Sequence, residues 1–376
     1  MPARETWNCL QRFDRITEYG WRDRFGKVEA RMRYKRVIHV VLSVLCIFPL
    51  FLLAVSFCAA AAEKIPVRVL LLPKFEVDEL SGDFPGEAQY YYDAYLTDGD
   101  EYEIPWGYDT GRLYVKDGVA LAVTGMGKVN AALTTMAILT DERFDFSDAY
   151  VISTGCAGSA RDTTVMGDVF VITAAVNYDL GHHADIREME NDQSDTWFHD
   201  EAYDAEACIQ LDASLMDKVF ELVKDTPVQT NPKTRSYMSA AFDAEEWAVR
   251  DPMVMRGTTV TSDNYWKGSY DHQNALTMID TYDCPDPYVT TEMEDVAIAQ
   301  TLQRLGMLDR LIILRDSVNM DVFMLGNTPE SLWAPEQASD LASDDNVEAA
   351  DIFGVAMENN FKVGNRIIEA ILNNQF

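Results

Sequence analysis

The sequence predicts an α/β fold, with one large domain built on a mostly parallel (mixed) central sheet flanked by helices. Short apolar runs with β-favouring residues alternate with longer stretches that carry apolar residues at helical spacing. Several of the short runs end in glycine-rich or polar segments. Strands that alternate with helices in this way favour a sheet covered on both faces.

The elements are expected in a regular order along the chain. Strands are predicted at 67–72, 118–124, 149–153, 168–173, 258–261 and 311–314, and helices at 129–139, 294–305 and 347–372. Two long polar stretches, 192–212 and 326–345, interrupt the alternation and contain Trp197 and Trp333. Loops of that length are typical of functional lids or disordered surface, and the embedded tryptophans favour ordered lids.

Residues 1–62 have the pattern of a secretory signal peptide. A basic segment ends at Arg36, an apolar run covers 37–57, and small residues lead to Ala62. An uncleaved membrane anchor is the alternative, because the apolar run is long enough to span a bilayer. A start at Met32 would give a signal of ordinary length, which makes 1–31 a candidate over-extended start. We therefore expect a domain at 63–376 that is periplasmic or secreted and free of the membrane after cleavage.

The charge and the cysteines narrow the function class. Residues 1–62 hold 10 of the 31 basic and 5 of the 62 acidic residues, which leaves a net charge near −36 for 63–376. Such a surface repels polynucleotides, so no nucleic-acid partner is expected. Cys156, Cys208 and Cys284 allow one disulfide in an oxidising compartment. His182 and His183 are interpreted as ordinary polar loop residues, and no metal or cofactor is expected.

Two glycine-containing segments follow predicted strands, where an open parallel sheet binds its ligands. The first contains Gly125 and Gly127, whose backbone N–H groups can approach an anion or a hydroxyl group at a helix N-terminus. The second contains Thr154 and Gly155, where small residues would let a flat ligand lie against the backbone. Either segment alone is equally typical of a tight turn.

Two polar segments occupy comparable positions later in the chain. Glu294 opens the helix 294–305, where a carboxylate either stabilises the helix N-terminus or binds two adjacent sugar hydroxyl groups. Asn319 and Asp321 follow the strand 311–314, and polar side chains there can hydrogen-bond a heteroaromatic base.

Together, these motifs resemble the nucleoside phosphorylase and methylthioadenosine nucleosidase superfamily, and within it the purine nucleoside permease family. The likeness covers 67–374 and rests on G-x-G-K-V-N-A-A, T-G-x-A-G, a later G-D-V, M-E-x-x-A-x-A and a polar loop after the final strand. It implies a nucleoside phosphorylase-like fold, a purine nucleoside as partner, and a homo-oligomer.

The resemblance also implies roles for individual residues. Met293 would pack under the ribose, and Glu294 would bind its hydroxyl groups. Asn319 would face purine N7 and so favour 6-oxopurines, unless Asp321 is the true acid. Glu76 or Glu79 would activate water, with Glu79 slightly preferred, and Tyr265 or Trp266 would stack on the base.

Three functions remain open at this stage. Cleavage of the N-glycosidic bond of purine nucleosides is preferred, and hydrolysis is favoured over phosphorolysis because few arginines lie near the motifs. Phosphate stays a candidate co-substrate, with Arg161 and Arg187 the nearest candidates to bind it. The alternatives are a periplasmic nucleoside-binding protein that serves uptake without catalysis and a purely structural exported protein. A transporter in its own right is not expected, because 63–376 contains no second apolar stretch of membrane-spanning length.

Overall fold

The computed structural model describes residues 63–109, 111–185, 188, 197–242, 250–326 and 349–376. The proposed signal peptide, Arg187, Trp333 and most of the stretch 326–345 lie outside the described residues. The strands are β1 (Ile65–Pro66), β2 (Val69–Leu72), β3 (Asp100–Glu103), β4 (Arg112–Lys116), β5 (Val119–Leu121), β6 (Phe144–Asp145), β7 (Tyr150–Ser159), β8 (Val169–Asn177), β9 (His182–His183), β10 (Trp197–Phe198), β11 (Cys208–Gln210), β12 (Val254–Thr261), β13 (Tyr288–Glu292) and β14 (Leu311–Met320).

The helices pack around the sheet formed by most of these strands. They are α1 (Gln89–Tyr95), α2 (Lys128–Leu139), α3 (Asp204–Ala207), α4 (Ala213–Val223), α5 (Pro232–Phe242), α6 (Ser269–Thr281), α7 (Asp295–Leu305) and α8 (Ala349–Leu372), with short 3-10 turns at Glu201–Tyr203 and Leu308–Arg310. Among the described residues, no helix is both long enough and apolar enough to cross a membrane.

The central sheet is mixed and partly closes on itself. Its strand order is β11-β8-β12-β13-β7-β2-β5-β4-β3, and β14 pairs with both β7 and β8. The strands β7, β14, β8, β12 and β13 therefore form a closed ring, in which the β7–β14, β8–β12 and β12–β13 pairs are parallel. The α/β class, the mixed sheet and the flanking helices are as the sequence predicts.

Elements with strong apolar patterns were correctly predicted, and elements with weak patterns were missed. Apolar β2 and β14 begin within two residues of the prediction, although β14 runs on to Met320 through polar residues. The hairpin β3–β4 and strand β13 were missed, since their exposed or threonine-rich sequences lack a clear apolar run. The described part of 192–212 contains β10, α3 and β11, and Trp197 in it is buried. That part is folded structure packed against the domain.

Helix α8 packs across α1 and the sheet, and two glycines of α8 differ in what surrounds them. A β-carbon on Gly364 would overlap the hydroxyl oxygen of Tyr91, which is buried and donates to Asn360 Oδ1 at 2.7 Å. A β-carbon on Gly354 would meet only Phe84, at an ordinary contact distance of 3.8 Å.

We therefore expect Gly364→Ala to destabilise the fold by about 1–3 kcal/mol, because it forces α1 and α8 apart. Gly354→Ala is the matched control, and it should be neutral or stabilising by about 0.5–1 kcal/mol, since alanine favours the helix. Urea unfolding of both variants measures the difference. Equal effects of the two substitutions would contradict this packing.

Candidate active site

A cavity of about 200 Å³ opens at the carboxyl ends of strands in and beside the closed ring. Its wall is built from residues within or directly after β2, β5, β7, β12, β13 and β14, together with Glu87 ahead of α1. The lining residues are Lys74, Phe75, Glu87, Met126, Cys156, Ala157, Gly158, Asn264, Tyr265, Trp266, Thr291, Glu292, Met293, Glu294, Arg315, Val318 and Asn319. This is the edge at which parallel sheets bind ligands.

Arg315 of β14 holds the acidic end of β13 and the start of α7 together. Its guanidinium group donates to both carboxylate oxygens of Asp295 at 2.8 and 2.9 Å, and to Glu292 and Glu294 at 3.0 and 3.1 Å. A further N–H group donates to the carbonyl of Cys156 at 2.9 Å. Arg315 is almost fully buried, and the carboxylates around it outweigh burial and raise its pKa. Its hydrogen bonds hold these acidic residues in position at the cavity.

Glu292 caps helix α7 from inside the protein. Its Oε2 accepts from the backbone N–H groups of Glu294 and Asp295 at 2.6 and 2.7 Å, and Thr261 is hydrogen-bonded to its Oε1. Burial first, and then the negative charge of Asp295, raise the pKa of Glu292 to about 8, while Arg315 partly opposes the shift. The raised pKa favours the protonated form of Glu292 at neutral pH, which reduces the negative charge of the cavity wall.

Glu294 lines the cavity, and Gly127 and Arg315 orient its carboxylate group. Its Oε1 accepts from the backbone N–H of Gly127 at 2.9 Å, and its Oε2 faces Arg315. Gly127 has φ 88°, a conformation that favours glycine, and begins α2 beside Asp263, which accepts from Lys128 N at 2.8 Å. The structure therefore brings Gly127, Met293 and Glu294 together, and the Gly127 N–H that was expected to face a ligand is bonded to Glu294. Each Glu294 oxygen keeps one lone pair for a ligand hydroxyl group.

Glu87 is the third glutamate of the cavity wall, beside Glu292 and Glu294, and it was not among the residues that the sequence predicts. Its Oε2 accepts from Lys74 N at 2.6 Å and its Oε1 accepts from Cys156 N at 2.9 Å. Burial raises its pKa, although the positive charges of Lys74 and Arg315 oppose the shift. Gly155 makes the approach feasible, since a β-carbon there would lie 2.5 Å from the Glu87 carboxyl group.

Lys74, also missed, lies directly behind Glu87. Its ammonium group donates to the carbonyls of Leu72 and Thr154 at 2.6 and 3.0 Å and to Ser153 Oγ at 2.8 Å. Burial lowers its pKa, and the nearby Arg315 adds to this effect. Each of the three N–H groups of the ammonium group is hydrogen-bonded to a protein oxygen, so Lys74 stabilises the cavity wall.

An aromatic surface forms another part of the wall. Tyr265 is exposed, whereas Trp266 is buried and stacks on Tyr178 with ring centroids 5.3 Å apart. The Tyr178 hydroxyl group donates to Asp271 of α6 at 2.6 Å and accepts from Asn274 at 3.1 Å. Helix α6 thereby supports Trp266, the more buried of the two predicted stacking residues.

A bulge in β14 places Asn319 at the cavity. The register of β14 against β7 shifts between Ser317 and Asn319, and both Val318 and Asn319 consequently line the cavity. Asp321 lies elsewhere: it is fully buried and its carboxylate contacts His272 Nδ1 at 2.6 Å and the Tyr288 hydroxyl group at 3.0 Å. Asp321 therefore lies outside the cavity wall, and its role as the catalytic acid stays an untested alternative.

The two glutamates proposed to activate water also lie outside the cavity. Glu76 accepts four backbone N–H groups, those of Val77, Gly86, Ala88 and Gln89, and so supports the start of α1. Glu79 is exposed on the neighbouring surface depression. Neither glutamate lines the cavity, whereas Glu87 does.

Gly125 and Thr154 support the cavity without lining it. Gly125 has φ 80°, and a β-carbon there would overlap the ring of Tyr108. Thr154 donates to Asn360 Oδ1 at 2.7 Å, below the surface of the cavity. Arg161, one of the two arginines considered for phosphate, forms an ion pair with Asp162 at 3.2 Å and lies outside the lining.

Comparison with known proteins agrees with the motifs. The family model described as purine nucleoside permease matches residues 66–375. The chain belongs to this family. A probable purine nucleoside permease of Schizosaccharomyces pombe is 29% identical over 222 residues, which are 53% of this chain and 63% of that protein.

Shorter or more distant similarities of this purine nucleoside permease family member are to nucleosidases. A 5′-methylthioadenosine/S-adenosylhomocysteine nucleosidase of a Geobacillus species is 42% identical over 73 residues, 19% of this chain and 29% of that protein. The chain thus spans less than two thirds of the length of either relative. The solved structure of the Neisseria meningitidis nucleosidase of that name, in complex with methylthio-immucillin-A, aligns with a TM-score of 0.47 and 19% identity, over 81% of this chain and 99% of that one.

The protonated state of Glu292 makes stability depend on pH. Its pKa in the fold, about 8, exceeds its ordinary value of 4.5, so between these values the folded state holds a proton that the unfolded state releases. This contribution makes stability fall as pH rises through that window.

We expect Glu292→Gln, which keeps the shape without the titrating proton, to reduce the loss of stability between pH 5 and pH 8 by on the order of a few kcal/mol. Denaturant unfolding at both pH values measures this. Glu79→Gln, an exposed control, should keep the wild-type difference. A wild-type slope in Glu292→Gln would show that Glu292 is ionised throughout.

Proposed function

We propose that this chain cleaves the N-glycosidic bond of purine nucleosides by hydrolysis. The observation that carries the proposal is the placement of Glu87, a buried carboxylate with a raised pKa, in the same cavity wall as Glu294. A carboxylate with a pKa brought closer to neutrality is suited to accept a proton from water. Glu294, oriented by Gly127 and Arg315, is suited to bind the two adjacent hydroxyl groups of a ribose.

Each proton and electron pair has a place in the proposed reaction. Glu87 takes a proton from water as the water oxygen bonds to the anomeric carbon of the sugar. The electron pair of the breaking C–N bond passes into the purine, which lies against Trp266 and Tyr265. The purine leaves with the negative charge, and the amide of Asn319 hydrogen-bonds and stabilises this leaving group. The purine then takes one proton from solvent, and Glu87 releases to solvent the proton that it took from water. An amide there favours 6-oxopurines over adenine.

Water is preferred to phosphate as the acceptor of the sugar, because the two cations of the cavity wall are already bound to protein oxygens. The guanidinium group of Arg315 is bound to three carboxylates and one carbonyl, and the ammonium group of Lys74 is bound to three oxygen acceptors. A phosphate ion needs cationic or amide donors that face it. Moving either cation toward phosphate would leave buried acceptors without partners, which is costly.

A nucleoside-binding protein that serves uptake is the second candidate. Both oxygens of Glu87 already accept backbone N–H groups. A carboxylate held in this way can shape the pocket without acting as a base. Export through residues 1–62 is part of both proposals.

The deciding experiment incubates the purified full chain with inosine, guanosine and adenosine, with and without phosphate, and follows free base and sugar by chromatography. Ribose released without phosphate is expected, and ribose 1-phosphate formed only with phosphate would establish phosphorolysis instead. Glu87→Gln should lower turnover by ~10²–10⁴-fold while calorimetric nucleoside binding persists. Glu79→Gln should keep wild-type turnover. If the wild type binds nucleosides tightly without turnover, the enzyme proposal fails and the nucleoside-binding protein is the remaining candidate.

We also propose that the chain forms a homo-oligomer through an apolar face beside the cavity. Trp106, Met126, Val129 and Leu133 are all more than half exposed, and Tyr108 N donates to Thr134 of α2 at 2.9 Å, which places the 104–111 loop against this helix. Met126 also lines the cavity. Exposed apolar groups in this density are typical of an interface.

Light scattering should give a mass above that of one chain. Leu133→Glu should shift the chain toward the monomer, because it places a charge in the proposed interface. Met253→Glu, an exposed apolar position elsewhere, should not. A wild-type monomer at micromolar concentration contradicts the proposal.

A further inference from the structure

Two cysteines outside the cavity lie close together. The sulfur atoms of Cys208 and Cys284 are 3.7 Å apart, although 76 residues separate them in the chain. Cys208 begins strand β11, at the edge of the central sheet, and Cys284 follows helix α6. Both side chains are half-buried.

Regular structure fixes the backbone on each side of this pair. Cys208 lies opposite Val176 in the antiparallel ladder between β11 and β8. Helix α6 ends with Asp283 at φ 46°, and Cys284 N donates back to the Ile279 carbonyl at 3.2 Å, which is a typical helix C-terminal motif. The approach of the two sulfur atoms is therefore set by a sheet edge and a capped helix end.

We propose that Cys208 and Cys284 form a disulfide that joins the end of α6 to the edge of the central sheet. This inference is independent of the proposed function. Half-burial leaves the pair accessible to a small thiol reagent, whereas Cys156 is held in the cavity wall.

The oxidant is a small disulfide such as oxidised glutathione. The Cys208 thiolate attacks one glutathione sulfur, the glutathione S–S bond breaks, and the released thiolate takes up the proton that Cys208 lost. The Cys284 thiolate then attacks Cys208 Sγ and displaces the second glutathione, which takes the proton from Cys284. Two electrons pass from the protein thiols to the oxidant.

The bond would constrain an element that supports the cavity. Helix α6 contributes Asp271 and Asn274, which hold the Tyr178 ring on which Trp266 stacks. Tyr282 and Leu276 pack beside the two cysteines against the same cluster of buried aromatic residues. Fixing the C-terminal end of α6 to β11 restricts its motion relative to the sheet.

Peptide mapping of the full chain tests the pairing directly. After equilibration with oxidised glutathione, free thiols are alkylated and the chain is digested with trypsin without reduction. We expect the peptide 188–218, which contains Cys208, to be linked to the peptide 268–304, which contains Cys284. Alkylated Cys208 and Cys284, or links from either one to another peptide such as 144–161 with Cys156, overturn the proposal.

Thermal unfolding provides a second measurement. Reduction of the oxidised wild type should lower its Tm by roughly 5–10 °C, because the closed loop is long. Cys208→Ser and Cys284→Ser should each lack this reductant-dependent shift. A shift that persists in either variant assigns the effect to other thiols and contradicts the proposal, and the wild-type mapping stays decisive if a variant fails to fold.

Discussion

The buried guanidinium group of Arg315 is the interaction on which the site depends. It lies on β14, and its partners lie at the end of β13 and the start of α7, so it joins elements that are distant in the chain. Removing it would leave several carboxylates buried beside one another without a compensating charge, a change that typically costs about 3–5 kcal/mol. The same contacts hold Glu294 in its orientation. Stability and site geometry therefore rest on one residue.

The closed ring of strands explains how these residues meet. Strand β14 pairs with both β7 and β8, and β8 is also linked to β7 through β12 and β13, so these five strands close into a ring. The carboxyl ends of β7, β13 and β14 consequently surround one cavity. The bulge at Val318 then sets adjacent residues of β14 on the same wall. The site therefore depends on the closed ring of strands and on the bulge in β14.

The predictability of each residue follows from this architecture. Glu294 could be singled out because it opens a helix with a clear apolar pattern, and Asn319 because it follows the apolar run that begins β14. Glu87 could not, because residues 76–86 loop out between β2 and α1, and the carboxylates nearest to β2 in sequence turn away from the cavity. Asp321 was misplaced because the chain leaves β14 at Met320 and turns the next side chain toward His272. The fold class needed only apolar patterns, whereas the cavity needed long-range pairings that those patterns do not contain.

The many acidic groups of the interior influence the protonation of the carboxyl groups at the site. Within the described residues, two buried cations, Lys74 and Arg315, accompany the buried Glu87, Glu292, Glu294, Asp295 and Asp316. Burial raises the pKa of Asp316 and of Glu87, and Glu292 keeps its proton up to a pH of about 8. Because a raised pKa favours the neutral form of a carboxyl group, these shifts limit the negative charge that builds up around the two cations. A neutral polyhydroxylated ligand suits such a wall better than an anion, because it donates hydrogen bonds to carboxylates without adding to their charge.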